Sequence, residues 1–448
     1  MAEPIEAALG RAYRDNPQLN AQRAQLRVTD ENVPQALSGY RPKVGLTATV
    51  GEQHTNLTEL TSPSGAPLPA GTSPYTILKG TTTPYSYGIS VQQNLFNGFQ
   101  TANKTRTAES QVLAGREGLR VMEQTVLLNA ATIYMDVLRD TANVEIQKSN
   151  VSMLRQVLGE TKKRFSVQDV TATDVAQSEA QLAAAESALL NAEYNLATSK
   201  AQYESIIGVA PVDLRPATPV ERYAPPTLPT AIEVGSRLNP NITSAMYGID
   251  VAYLQVKIAQ GALYPSLSVQ GTVQQISEPA IGETFQFNAS VLGQLNVPLY
   301  QGGGEYSLIR QSKETLGQQR LSLDLVRNQT RALVVQSWSQ TIAAKGELQK
   351  AQVQVSAAEA AVNGVSKELR VGERTTFDLL QAQQILVNAR VALITAQHDR
   401  VVASYNLLAS VGELSPTTLH LPTQLYDPMV HYQQVRDAWS GMRTPDGQ

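Results

Sequence analysis

The chain has 448 residues, a net charge of −3 and no cysteine. The near-neutral balance excludes the basic footprint of a nucleic-acid binder, and the missing cysteine excludes disulfides, thiolate metal sites, a cysteine nucleophile and a lipoprotein anchor. Charged residues make up only 17%, few for a helical protein bathed in water on every face, and no apolar run approaches the ~18 residues of a transmembrane helix.

The opening Met-Ala-Glu-Pro reads as an initiator set before a mature start, with an export signal removed. Residues 1–40 are expected to be N-terminal helices. Within them the segment Asn16–Gly39 opens on Asn-Pro, a cap followed by proline at the first helical position, and Pro34 is placed to kink it. Residues 41–97 carry two alternating segments. Val44, Leu46, Ala48 and Val50 alternate with Gly45, Thr47, Thr49 and Gly51; Tyr85, Tyr87, Ile89 and Val91 alternate with Ser86, Gly88, Ser90 and Gln92. Between them, about Thr55 to Pro84, lies a loop rich in Pro, Gly, Ser and Thr. Period two with one apolar and one small-polar face is the pattern of a membrane strand, and equally of any half-buried sheet.

No proline occurs between Pro84 and Pro211, so 98–208 is expected to be a long helical hairpin with arms over about 99–163 and 172–208. Val137, Val144, Val151, Leu158 and Phe165 recur every seventh residue on the first arm, and Val175, Leu182, Leu189, Leu196 and Tyr203 on the second. Such seams suit coiled-coil packing, or an ordinary bundle core. Residues 209–238 are a Pro-rich linker, with six prolines from Pro211 to Pro229. A short helix over 239–263 opens again on Asn239-Pro240, with Lys257 at the place of Pro34. A second strand pair fills 264–301: Leu267, Val269 and Val273, then Phe285, Phe287, Ala289 and Val291, joined by the short Ser277–Glu283 connection. A second hairpin, 302–412, repeats the seam in Leu348, Val355, Val362 and Leu369, and in Leu379, Leu386, Leu393 and Leu407. An irregular segment, 413–448, completes the chain, and Arg443–Gln448 is expected to be disordered.

The two hairpins are copies. Residues 94–208 and 298–412 align at a constant offset of 204 without insertion: Leu95 with Leu299, Gly98 with Gly302, Arg106 with Arg310, Tyr134 with Trp338, Thr171 with Thr375, Asp174 with Asp378, Gly208 with Gly412. Before the Thr55–Pro84 loop the offset is 223. A residue gained in one copy would lift its tip by about 1.5 Å and rotate its seam by about 100°. Four strands in one chain leave two open edges, which lipid does not tolerate. Three chains would supply twelve strands, an even number that can close.

The passages QNLFNGFQT and VPLYQGGGE, and the tip sequences RFSVQDVTATDV and ELRVGERTTFDLL, set in this duplicated frame, resemble the TolC family of outer-membrane efflux and type I secretion channel proteins. The resemblance covers nearly everything from Asn16 to Gly412. It implies a mainly α fold with a membrane β part: duplicated helical hairpins forming a coiled-coil α-barrel, plus four strands per chain pooled into a twelve-stranded trimeric β-barrel in the outer membrane. It further implies a homotrimer in outer-membrane lipid that docks on a periplasmic adaptor and an inner-membrane pump of RND, ABC or MFS type. No catalysis and no cofactor are implied.

Two roles are open for the tips. Thr171 with Asp174, and Thr375 with Asp378, have capping-box spacing; threefold symmetry would also gather Asp378 into a ring selecting cations. Gln381 stands where relatives often carry a second acid, which implies a weaker ring. By position the resemblance assigns gate links to Thr173, Asp174 and Arg374, with Leu369 at the site of an expected tyrosine. Arg374 is otherwise a solvated tip residue or an adaptor contact. The turns themselves, Ser166, Val167, Val170, Val371 and Gly372, are the expected adaptor-docking points. His54, His398, His420 and His431 lack metal-ligand spacing, Gly302–Gly304 lacks the Lys-Ser/Thr of a phosphate loop and relaxes the strand-to-helix passage instead, and no nucleophile–base pair stands out. The competing function is a periplasmic coiled-coil scaffold or adaptor without a barrel. Cargo is not legible.

Overall fold

The structure, a computed structural model, describes residues 3–60 and 69–445. Residues 1–2, part of the expected 55–84 loop (61–68) and the last of the expected tail (446–448) lie outside the described residues. The chain divides into two compact units: one built from 1–29, 111–248 and 319–432, the other from 30–110, 249–318 and 433–448.

Helices α1 (Ile5–Asp15), α2 (Pro17–Asp30) and α3 (Asn32–Leu37) lead to strands β1 (Lys43–Val50), β2 (Gln53–Leu60), β3 (Tyr75–Thr82) and β4 (Tyr85–Asn97). The first hairpin is α4 (Gln100–Ser166) and α5 (Ala172–Ile207). Then come α6 (Leu228–Leu238), α7 (Pro240–Gly261), β5 (Ser266–Ser277), β6 (Phe285–Asn296), the second hairpin of α8 (Gly304–Arg370) and α9 (Thr376–Val411), and α10 (Pro428–Val435). The long helices have 67 residues each and the returning ones 36 each. Adding 204 to every boundary of the first hairpin gives the second. Both returning helices open on a capping box and end on a left-handed glycine, Gly208 (φ 90) and Gly412 (φ 85).

The duplication extends to the joints. Asn16 caps α2 by accepting from the Gln18 and Leu19 amides, and its Nδ2 donates to the Ile206 carbonyl at 3.0 Å. Asn239 accepts from the Asn241 amide and donates to the Ser410 carbonyl at 2.9 Å. Each Asn-Pro thus ties a short-helix pair to its own returning helix. Pro34 carries no N–H to donate to the carbonyl one turn earlier, and the helix breaks between Asp30 and Asn32. With Lys257 at that place, α7 runs unbroken.

Three expectations need correction. The last third of the 209–238 linker is helix α6, opened by a Thr227–Thr230 capping box with proline in its first turn. The segment after Glu413 contains helix α10. The described part of the 55–84 loop is mostly a β-ribbon: Val50 pairs with Tyr85 and Gln53 with Thr82, so β2–β3 continues the β1–β4 register beyond a short gap that the Gly51 amide bridges to the Pro84 carbonyl at 3.0 Å. Thr-rich, polar strands without apolar alternation hid it.

The returning helices pack through small side chains that the leucine seam concealed. Ser178, Ala185, Ala192 and Ser199 are buried every seventh residue of α5, and Ala382, Ala389, Ala396 and Ala403 at the matching positions of α9. Beside each column run the expected larger residues, of which Tyr203, Leu386 and Leu407 are buried. On α4, Val137, Val144 and Val151 are buried, whereas Phe165 at the tip is exposed. A small-residue column lets two helices approach closely, so bulk there has nowhere to go. Ala389 is fully buried against Ala358 and Leu386; Ala389→Leu is expected to destabilise the hairpin by about 1–3 kcal/mol, read as a lower midpoint for thermal loss of helical circular dichroism, whereas Ala180→Leu on an exposed face should leave it unchanged.

Candidate functional site: the sheet face and the hairpin tips

Strands β1-β4-β5-β6 form one antiparallel sheet in that order. The register puts every apolar residue of the alternating segments on one face. Leu46 pairs with Ile89, Ile89 with Val273 and Val273 with Ala289; Tyr85, Ser277 and Phe285 make another row. The opposite face is mostly polar, Ile276 and Leu292 apart, with cross-strand hydroxyl bonds Thr49–Ser86 (2.6 Å) and Thr272–Ser290 (2.8 Å). The apolar face is bare: Leu46, Val50, Phe285, Phe287 and Val291 are all exposed. From Tyr87 to Phe96 it runs about 30 Å along the strand, or about 23 Å at a membrane-barrel tilt, with aromatic rings at both ends. β1 and β6 each pair on one side only. No described helix is long and apolar enough to cross a membrane.

Where strands become helices the backbone closes up. A bulge at Asn94/Phe96 shifts the register of the last two β4–β5 pairs, Phe96 with Leu267 and Asn97 with Ser266, and Gly98 (φ 64) lies against Gly261 so tightly that a Cβ would stand 2.2 Å from the Gly261 carbonyl oxygen. In the second copy Gly302 and Gly303 both take left-handed conformations.

The tips are built alike. Asp174 Oδ2 accepts from the Thr171 amide and hydroxyl, both at 2.8 Å; Asp378 Oδ2 accepts from the Thr375 amide at 3.0 Å and hydroxyl at 2.9 Å. The threonine amides foremost, then the hydroxyls, hold both carboxyls below the usual aspartate range. Both acids therefore cap helices. Behind each turn stands an ion pair of opposite polarity: Arg164 Nε on Asp169 Oδ2 at 2.7 Å in the first, Arg374 Nε on Glu368 Oε2 at 3.0 Å in the second. Arg374 is thus held within its own turn. Thr173, Gln381 and Gly372 are exposed, Ser166 is exposed with its hydroxyl donating to the Lys163 carbonyl, and Leu369 and Val170 are half-buried. The outermost apolar points are Val167 and Val371, 73% and 72% exposed at matching positions.

The polar link between the two hairpins is made elsewhere. Gln181 Nε2 donates to Gln384 Oε1 at 2.7 Å, and Gln384 donates on to Asn388 at 2.9 Å. Below it Leu380 packs with Val151, Leu154, Val157 and Ala185 of the first hairpin. The available signal was divergence: the offset of 204 pairs Gln181 with Ile385 and Gln384 with Ala180, so this link breaks the repeat.

His398, unremarkable by spacing, is a buried clasp. Its Nδ1 lies 2.8 Å from Asp399 Oδ1, and its Nε2 3.0 Å from Asp136 Oδ1 of α4, off the line of a good hydrogen bond but within ion-pair range. Arg139 bridges Asp136 and Asp140, each at 2.8 Å. Of these groups His398 and Arg139 line an apolar cavity of about 570 Å³ with Met135, Leu138 and Val401. Burial pushes His398 down, but the two carboxylates outweigh it and its pKa ends above the ordinary 6.5. Burial pushes Asp136 up, and His398 with Arg139 outweighs that, leaving it below 3.8. The imidazolium's contribution is therefore complete below pH 6.5 and lost as pH rises through the raised value. Asp136's contribution is present above 3.8 and lost as pH falls through its lowered value. The helical midpoint is expected to be higher near pH 6 than near pH 8.5, and His398→Gln to shrink that difference; an undiminished pH dependence in the variant would remove His398 as its source.

Among the described residues no group of three or more His, Asp or Glu side chains is arranged to hold a metal ion. The family model "Outer membrane efflux protein" matches residues 8–209 and 236–413, one match per repeat. The chain is 36% identical to "Outer membrane efflux protein BepC" of Brucella suis over 454 aligned positions, covering 100% of this chain and 93% of that one. It is 24% identical to "Alkaline protease secretion protein AprF" of Pseudomonas aeruginosa, covering 75% and 71%. In fold it is similar to the CmeC outer membrane channel of Campylobacter jejuni, with a TM-score of 0.80 and 15% identity over 97% of this chain and 89% of that one. It is likewise similar to the outer membrane protein VceC of Vibrio cholerae, with a TM-score of 0.76 and 18% identity over 91% of this chain and 96% of that one.

Proposed function

The chain belongs to the outer membrane efflux protein family, and from that membership we propose that three copies assemble into a passive export duct. One observation carries the reading: a four-stranded sheet with a bare apolar face and two half-paired edges, whose strands run directly into long helices. In lipid an open edge leaves amides and carbonyls without partners at several kcal/mol each. Pairing β6 of one copy with β1 of the next, three times round, closes a twelve-stranded barrel. The small-polar face then lines the lumen.

The hairpins continue the duct on the periplasmic side. Val167 and Val371 are the points offered to a periplasmic adaptor, with Ser166, Val170 and Gly372 shaping the turns. An inner-membrane pump of RND, ABC or MFS type would supply the energy. Efflux of small molecules and secretion of proteins both fit, following the functions named for BepC and AprF.

The entrance is held by the Gln181–Gln384 link, while the Arg374–Glu368 pair braces the second turn, Asp378 and Asp174 fix the helix starts, Thr173 and Gln381 face the opening, and Leu369 packs in place of a polar tie. Purified in detergent, the protein is expected to run as a trimer and to conduct ions in a planar bilayer; a monomer soluble without detergent would sink the reading. Gln384→Ala and Arg374→Ala are each expected to raise single-channel conductance roughly twofold or more by loosening the constriction. Unchanged conductance removes that residue from the gate.

A further inference from the structure

After α10 the chain turns back onto the strand–helix passage. Arg41 Nη1 donates to the Ala438 carbonyl at 2.6 Å, and its guanidinium stacks 4.6 Å over the ring of Trp439. Arg436 reaches Glu109 on α4 at 4.0 Å. Arg41, Ala438 and Trp439, with Pro34, Gln35 and Ser38, frame a groove of about 690 Å³. Arg41 lies two residues before β1, and the preceding Tyr40, itself exposed, accepts at its carbonyl from Gln93, which stands in an apolar-face row of β4 with Val269. The tail is thus fastened beside the edge of the apolar sheet face.

What the tail presents there is apolar. Trp439 is 72% exposed and Met442 is completely exposed, at 102%, while Arg41 and Arg443 flank them. A tryptophan stacked on an arginine and left open to water forfeits the free energy of burying its ring. At the headgroup level of a bilayer both partners are satisfied: the indole in the interfacial zone, the guanidinium with phosphate. Tyr264, Phe99 and Tyr300, also exposed at the strand–helix passages, continue the same belt.

We propose that the segment Trp439–Arg443 is an interfacial anchor seated in the phospholipid headgroups of the leaflet at the strand–helix end of the barrel. The proposal rests on the reading of the sheet as lipid-facing, and the test separates the two. The chain has no cysteine, so Met442→Cys and Val291→Cys each accept one nitroxide spin label, Val291 being on the apolar face and 78% exposed. Each labelled full-length protein is reconstituted into phosphatidylethanolamine–phosphatidylglycerol bilayers, and relaxation by oxygen, which concentrates in lipid, is compared with relaxation by a water-soluble nickel chelate. The label at 291 is expected deep in the bilayer and the label at 442 at headgroup depth. A lipid-exposed 291 with a water-exposed 442, or with a 442 shielded from both reagents by protein, overturns the anchor and leaves the barrel standing. A 291 that reports no lipid overturns the barrel, and the anchor with it.

Discussion

A backbone amide in lipid must have a partner, and from that constraint the rest of this molecule can be argued. β1 and β6 end the sheet with one side unpaired, so a single copy has no stable place in a bilayer. Closure by identical copies, as proposed, would impose rotational symmetry, each copy bringing two hairpins into the ring. Two hairpins can share one ring only if they reach the same depth with the same seam. The identical lengths of α4 and α8, of α5 and α9, and the matched Asn16 and Asn239 joints are what that equivalence requires locally.

Equivalence in length does not extend to charge. Arg155 on α4 pairs with Glu186 on α5 at 2.7 Å; at the same two positions of the second copy Glu359 pairs with Arg390 at 2.8 Å, with the signs exchanged. The tip pairs, Arg164–Asp169 and Glu368–Arg374, exchange signs as well. All these side chains are substantially exposed, so each pair contributes little stability. In the proposed ring, hairpins that alternate would meet the opposite polarity, whereas a hairpin beside its own kind would meet like charge.

Much of this was legible from local signals. Proline gaps marked the hairpins, period two marked the apolar face to the residue, and Ser/Thr-x-x-Asp marked both helix starts, because in each case the physics lies within a few neighbouring residues. The β2–β3 ribbon was not legible: Thr55, Thr58, Thr76 and Thr81 pair across a hairpin without burying a face. Helix α6 hid behind the prolines that precede it and the one in its first turn. The Gln181–Gln384 link and the Asp136–His398 clasp join residues far apart in the chain, and no spacing rule reaches that far. The repeat pointed to the link only through its departures.

The strongest sign that architecture dictates the turns lies where the copies differ. At the second tip Gly372 takes φ 82; at the first, Gln168 takes φ 60. At the strand–helix passage Gly303 has φ 86 and its counterpart Phe99 has φ 61. Left-handed geometry costs an L-residue with a side chain about 1–2 kcal/mol. If the turns followed local preference, Gln168 and Phe99 would relax to negative φ and their hairpin would shift relative to its twin. They do not. Phe99 is compensated in part by an edge-to-face contact with Phe96 at 5.2 Å, while Gln168 sits exposed with its amide donating to the Phe165 carbonyl. The strain is tolerated because the alternative is two hairpins of unequal reach.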